Sequence, residues 1–135
     1  MIRRIALAVG ALAMITFTRP AAAQQTFVVD TTLVAAGKKV FAARACLGCH
    51  TIGKGDLAAP DLGGLLERRT ETWVQNWLTN PTAMLESDDI AKGMMKRYNN
   101  MRMPNLKLTR DEIVALIHYI ENESRAMRPS GSDTQ

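Results

Sequence analysis

Both cysteines of this 135-residue chain fall inside one run of five residues, Cys46-Leu47-Gly48-Cys49-His50. Two thiols three positions apart, at the end of a helical turn, are placed to add to the two vinyl groups of one porphyrin as thioethers. The next residue, His50, then lies beneath the iron as its proximal ligand. A chain with such a run has to fold around a flat, apolar, covalently held disc, which excludes most architectures. The cofactor expected is one haem c, bound through Cys46 and Cys49, with His50 as a metal ligand.

A bare C-x-x-C also serves zinc sites and thiol–disulfide exchange. Zinc wants four ligands, and the chain has two cysteines and two histidines in all. The second histidine, His118, lies far away with no partner at metal-binding spacing. A thioredoxin-like dithiol would follow a strand in an alternating β/α chain, and no such alternation is found. The dithiol oxidoreductase remains the non-haem alternative, and it predicts a colourless protein.

The first residues set the expected compartment. Met1-Ile2-Arg3-Arg4 is a short basic start, and the apolar stretch 5–18 is too short for a comfortable membrane span. Arg19, Pro20 and Ala21-Ala22-Ala23 follow as a small-residue cleavage signature. Residues 1–23 are read as a signal peptide that is removed, 24–127 as one domain without a membrane span, and 128–135 as a disordered tail. Haem is attached to C-x-x-C-H outside the cytoplasmic membrane in bacteria, so the expected location is the periplasm. Of the 17 basic residues, Arg3, Arg4 and Arg19 leave with the signal, so 14 face 13 acidic ones and the mature net charge is +1. The basic balance of the whole chain is therefore no argument for a nucleic-acid partner. A mature chain of about 112 residues has a limited core, which a porphyrin would help to fill.

The organisation after residue 24 reads as all-α. Asp30 or Thr32 is placed to cap a helix over 33–45, whose apolar positions Leu33, Ala36, Val40, Phe41 and Ala45 follow helical spacing. Gly53, Gly55, Pro60, Gly63 and Gly64 mark 51–66 as loop. A helix over 71–79 is stopped by Asn80-Pro81. Ser87-Asp88-Asp89 opens another, running to Tyr98 with acid in its first turn. Thr109-Arg110-Asp111-Glu112 is a capping-box pattern opening a last helix to about Glu123, with Ile113, Leu116, Ile117 and Ile120 on one face.

Iron in an electron carrier wants two strong-field ligands that stay bound in both oxidation states, and a thioether favours Fe(II). Met84 follows Pro81 at a helix start, whereas Met94 and Met95 fall inside a predicted helix, where methionine is commonly core filler. Met101 and Met103 lie in the non-helical stretch Asn99-Asn100-Met101-Arg102-Met103-Pro104-Asn105. Pro104 holds Met103 extended, so Met103 leads Met101 by a small margin.

The chain resembles the class I cytochromes c, the monohaem His/Met type, over about residues 32–124. Gly37-Lys38-Lys39-Val40-Phe41 with the run from Cys46 to Thr51 is similar to the family's first helix and haem site. Leu116-Ile117-His118-Tyr119-Ile120 is similar to its last helix, with Leu116 and Tyr119 at the crossing. Pro60-Asp61-Leu62 resembles the loop whose proline carbonyl accepts the proximal histidine's hydrogen bond, which would make Pro60 the residue that orients His50. Trp77-Leu78-Thr79-Asn80-Pro81 resembles the helix lying along the haem. Met103-Pro104 followed by the last helix matches the bacterial arrangement, and the resemblance implies Met103 as sixth ligand. A longer segment between Pro81 and Met103 departs from the pattern. The resemblance implies a cytochrome c fold of several short helices around one haem.

Several side chains invite two readings. His118 falls away from the apolar face of its helix and is expected to be solvated rather than a ligand. Trp73 and Trp77 share a helix face, either as core or with an indole N–H on a haem propionate. Arg68 and Arg69 are either partners of a buried propionate or a solvated pair. Tyr98 is a candidate hydrogen-bond donor near the ligand loop. Lys92, Lys96, Arg97, Arg102, Lys107 and Arg110 gather around the Met103 strap and would steer the protein onto acidic redox partners, a donor and an acceptor. No general base, nucleophile or oxyanion site is visible, so the expectation is a periplasmic carrier of single electrons and not an enzyme. The alternatives are a haem subunit held permanently by a periplasmic oxidoreductase, such as a sulfite dehydrogenase or a denitrification enzyme, and a haem protein with an open sixth position.

Overall fold

A computed structural model describes residues 26–128; the signal-peptide reading of 1–23 and the tail beyond Arg128 lie outside them. Six helices follow one another with no strand among the described residues: α1 (Thr31–Ala43), α2 (Leu65–Arg68), α3 (Glu71–Thr79), α4 (Pro81–Ser87), α5 (Asp89–Arg97) and α6 (Arg110–Met127). This is the all-α architecture expected.

The helix starts are written in short polar side chains that satisfy orphan backbone N–H groups. Asp30 accepts from the Thr32 N–H at the head of α1. Thr70 accepts from Trp73 N on α3, Asn80 from Ala83 N on α4 with Pro81 at the first position, and Asp88 from Ala91 N on α5. Thr109 and Glu112 close a reciprocal capping box on α6, whose Glu112 also pairs with Arg44 at 2.8 Å.

The first and last helices cross at Gly37. A Cβ there would sit 2.0 Å from the Ala115 carbonyl oxygen and 2.6 Å from the Tyr119 Cβ, so only glycine permits the approach. Phe41 and Tyr119 meet one turn on, ring centroids 5.4 Å apart. Around that crossing Phe41, Ile52, Leu116, Tyr119 and Ile120 form one buried cluster. Val74, Leu78, Ile113 and Ile117 form a second, where α3 packs on α6. The cavity described below opens between the two clusters.

Four expectations are corrected. First, α1 ends at Ala43, and Ala45 turns left-handed (φ 54°) before a separate 3₁₀ turn, Cys46–Gly48, so the motif is not the last turn of α1. Second, the loop 51–66 gives way to the four-residue α2 at Leu65. Third, α6 runs a turn beyond Glu123, and Arg128, assigned to a disordered tail, pairs with Glu67 at 2.6 Å. Fourth, His118 is half-buried rather than solvated. Its Nδ1 accepts the Asp30 N–H at 3.0 Å, and its ring lies 4.8 Å from that of Phe27, so it fastens the lead-in to α6.

Candidate functional site

The Cys46–Gly48 turn presents Cys46 half-buried and, just after it, Cys49 exposed. Burial pushes the Cys46 thiol above its ordinary range. His50 follows immediately. The chain then loops out and comes back alongside itself in the same direction, with Ala59 N–H donating to Cys49 O at 3.0 Å and Leu62 N–H to Thr51 O at 2.8 Å. This return sets the Pro60 carbonyl 2.7 Å from His50 Nδ1. A carbonyl only accepts, so the His50 proton sits on Nδ1, which leaves Nε2 with its lone pair free for a metal.

Asp61 fastens that loop. Its Oδ1 accepts from Gly53 N and Gly63 N, and its Oδ2 from the Thr51 hydroxyl and Gly55 N. Burial pushes the Asp61 carboxyl up, but these four hydrogen bonds outweigh it and hold its pKa at about 2. Asp56 extends the network by accepting from Asp61 N at 2.9 Å and from the Tyr98 hydroxyl at 2.6 Å. Tyr98 therefore reaches the histidine's loop and not the methionine strap. Neither role was read from sequence. The available signal was a loop with three glycine N–H donors and no strand or helix to satisfy them.

The strap 99–109 also borders the cavity. Asn99 and Asn100, both left-handed (φ 54° and 59°), end α5 and turn the chain back, with Asn100 N–H on Met95 O. Asparagine tolerates that region better than most residues. Met94, Met95, Met101 and Met103 all line the cavity together with Cys46, Cys49, His50, Pro60 and Trp77; Met84 does not. Met101 is 49% exposed. Met103 is half-buried against the Val74–Leu78 cluster, and the Trp77 indole N–H donates to its sulfur at 3.0 Å. Trp77 thus reaches the candidate ligand.

The cavity fits a haem. Its walls are Phe41, Leu65, Val74, Leu78, Leu85 and Ile120, with two thiols and a tethered imidazole on one side and a thioether facing the same space. Arg69 lines it too, and its Nε is buried without a hydrogen-bond partner among the described residues; a porphyrin carboxylate is an acceptor of the kind it lacks. Arg68, by contrast, is exposed and donates to the Asp61 and Gly63 carbonyls. Among the described residues no three His, Cys, Asp or Glu side chains converge, so a zinc reading of the cysteines finds no ligand set.

The family model described as "Cytochrome c" matches residues 34–124. The chain belongs to the cytochrome c family. Members of that family bind haem c and transfer electrons, and Cys46, Cys49 and His50 of this cytochrome are consistent with the C-x-x-C-H motif. Cytochrome c from Rhodothermus marinus superposes with a TM-score of 0.68 at 21% identity, over 73% of this chain and 83% of that one. The cytochrome c domain of the pp3183 protein from Pseudomonas putida is 37% identical over 66% of this chain and 88% of its own, with a TM-score of 0.58. A search of curated proteins gave no match. The expected fold is therefore the fold found.

Proposed function

We propose that this cytochrome is a periplasmic carrier of single electrons, with haem c bound through Cys46 and Cys49 and with His50 and Met103 as axial ligands. The observation that carries the reading is the pair of restraints on those ligands: Pro60 O on His50 Nδ1, and Trp77 Nε1 on Met103 Sδ. When bound, the haem supplies a one-electron couple whose potential a thioether raises. The chain's part is to keep both donors still, because little then has to reorganise when charge changes. Pro60 fixes the imidazole's tautomer and plane and makes it a better donor. The apolar walls exclude water. The N-terminal apolar stretch 5–18 and its small-residue end support export. No helix among the described residues is long and apolar enough to cross a membrane.

The surface supports a partner with acidic groups. Of the six cations around the strap, Lys92 pairs with Asp89 and Arg97 with Asp56. Lys96, Arg102, Lys107 and Arg110 are exposed and make no ion pair among the described residues, and Arg102 lines the cavity itself. Rate constants for electron exchange with an acidic redox protein are expected to fall about tenfold or more from low to high ionic strength, and less in Arg102→Gln/Lys107→Gln. Stopped-flow kinetics across a salt series measures this; a flat profile contradicts the docking reading.

A second reading rests on apolar exposure. Leu47 and Leu57 are 64% and 56% exposed, one between the two cysteines and one in the His50 loop. Such a skin also suits a haem subunit held permanently by a periplasmic oxidoreductase. Co-purification with a larger protein in fixed ratio would favour that reading.

A further inference from the structure

The segment that departs from the family pattern, α4 and α5, is fastened to Trp73 of α3 through Asp88, which lies between the two helices. Trp73 and Trp77 stack with centroids 5.6 Å apart and planes 7° from parallel. Each indole N–H has one acceptor. That of Trp77 is the Met103 sulfur at 3.0 Å, and that of Trp73 is Asp88 Oδ2 at 3.1 Å. The other carboxylate oxygen, Asp88 Oδ1, caps α5 through Ala91 N at 2.8 Å. The Arg69 guanidinium lies over the Trp73 ring at 5.2 Å and reaches Met94 Sδ on α5 at 4.0 Å. Residues far apart in sequence thus form one line: Asp88, Trp73, Trp77, Met103.

A thioether is a weak hydrogen-bond acceptor, so the bond to sulfur alone does not hold an indole in place. A carboxylate is a strong one. The strong bond lies at the far end of the line, on Trp73, and the parallel stack passes its constraint to Trp77. We propose that Asp88 and Trp73 are positioning residues for the sixth ligand: the carboxylate fixes the Trp73 ring, Trp73 fixes the plane of Trp77, and Trp77 thereby keeps its N–H on the Met103 sulfur. The proposal rests on the reading that makes Met103 the sixth ligand. It gives the added helices a task in tuning that ligand, because a sulfur that donates a lone pair to an N–H gives less density to the metal and favours the reduced state.

The test uses the matured, haem-loaded protein and reads its reduction potential and the weak sulfur-to-iron absorption band of the oxidised form. Trp73→Phe keeps an aromatic ring in the stack and leaves the Asp88 cap intact while removing the anchoring N–H. Asp88→Asn keeps the capping oxygen and turns an amide N–H₂ towards Trp73. Both are expected to lower the potential in the same direction as Trp77→Phe, by less, with a shifted band. Neither is expected to lower it further in a Trp77→Phe background, since their effect passes through that indole. A shift of equal size in both backgrounds, or no shift in either, overturns the proposal while leaving Met103 as ligand. Absence of the band from the unmutated protein overturns the ligand reading and the proposal with it.

Discussion

Met103→Ala is expected to abolish the sulfur-to-iron band and to drop the reduction potential by on the order of a few hundred millivolts, a share of the roughly 0.8 V range that axial ligands span. Met101→Ala is expected to leave both almost unchanged. The two methionines are two residues apart and line the same cavity, so the contrast comes from their surroundings. Met101 is 49% exposed. Met103 packs on the α3–α6 cluster, is followed by Pro104, and has the Trp77 N–H on its sulfur. A ligand has to be pre-positioned to stay bound in both oxidation states, and of these two methionines only Met103 has a side chain on its sulfur among the described residues. Optical spectra and potentiometry of the two variants decide between them. Loss of the band in Met101→Ala alone would assign the ligand to the other sulfur.

Asp61→Ala unfastens the loop that aims His50. Three donors lose their acceptor at once, the N–H groups of Gly53, Gly55 and Gly63, while the Thr51 hydroxyl keeps the Gly55 carbonyl. Buried donors left unpaired cost about 1–3 kcal/mol each, and those reached by water cost less. The expected loss of stability is therefore about 3–5 kcal/mol, read by denaturant titration of the matured protein. The sign of its pH dependence follows from the lowered pKa. Asp61 lies at about 2 in the folded chain against 3.8 ordinarily, so its contribution is present above pH 3.8 and disappears as pH falls through 3.8 towards 2. The shift corresponds to about 2 kcal/mol at 1.36 kcal/mol per unit, an upper value because the site is partly solvated. In Asp61→Ala that part of the acid slope is absent. A variant as stable as the parent, with the same acid slope, would show that the loop holds without its carboxylate.

What sequence made legible follows from how local each signal is. The cysteines and His50 are contiguous, so their chemistry needs no fold to be read. Helix α3 is found over the residues expected, because its start and stop are both local: Thr70 caps it, and Asn80-Pro81 ends it. The Thr109–Glu112 capping box is equally local. His50 on Pro60 was implied by resemblance, and the distance of 2.7 Å agrees with it. The misses are all long-range or conformational. His118 faces off the apolar stripe of α6, and nothing in that stripe tells that Phe27 and the Asp30 N–H come back to cover it. Ala45 takes a left-handed conformation that alanine disfavours, so helical spacing ran on through it. The partners of Trp73, Trp77 and Tyr98 lie 15 to 42 residues away, a separation at which side-chain type alone names no acceptor.

The account stands on one haem held by both sulfurs of the Cys46–Cys49 turn. The direct measurement is the intact mass of protein matured in a haem-attaching host, taken after extraction with acidified acetone. The expected result is a red polypeptide that keeps its pigment through extraction and weighs one haem more than the processed chain. A colourless polypeptide of chain mass, with the pigment in the solvent or never present, would contradict it.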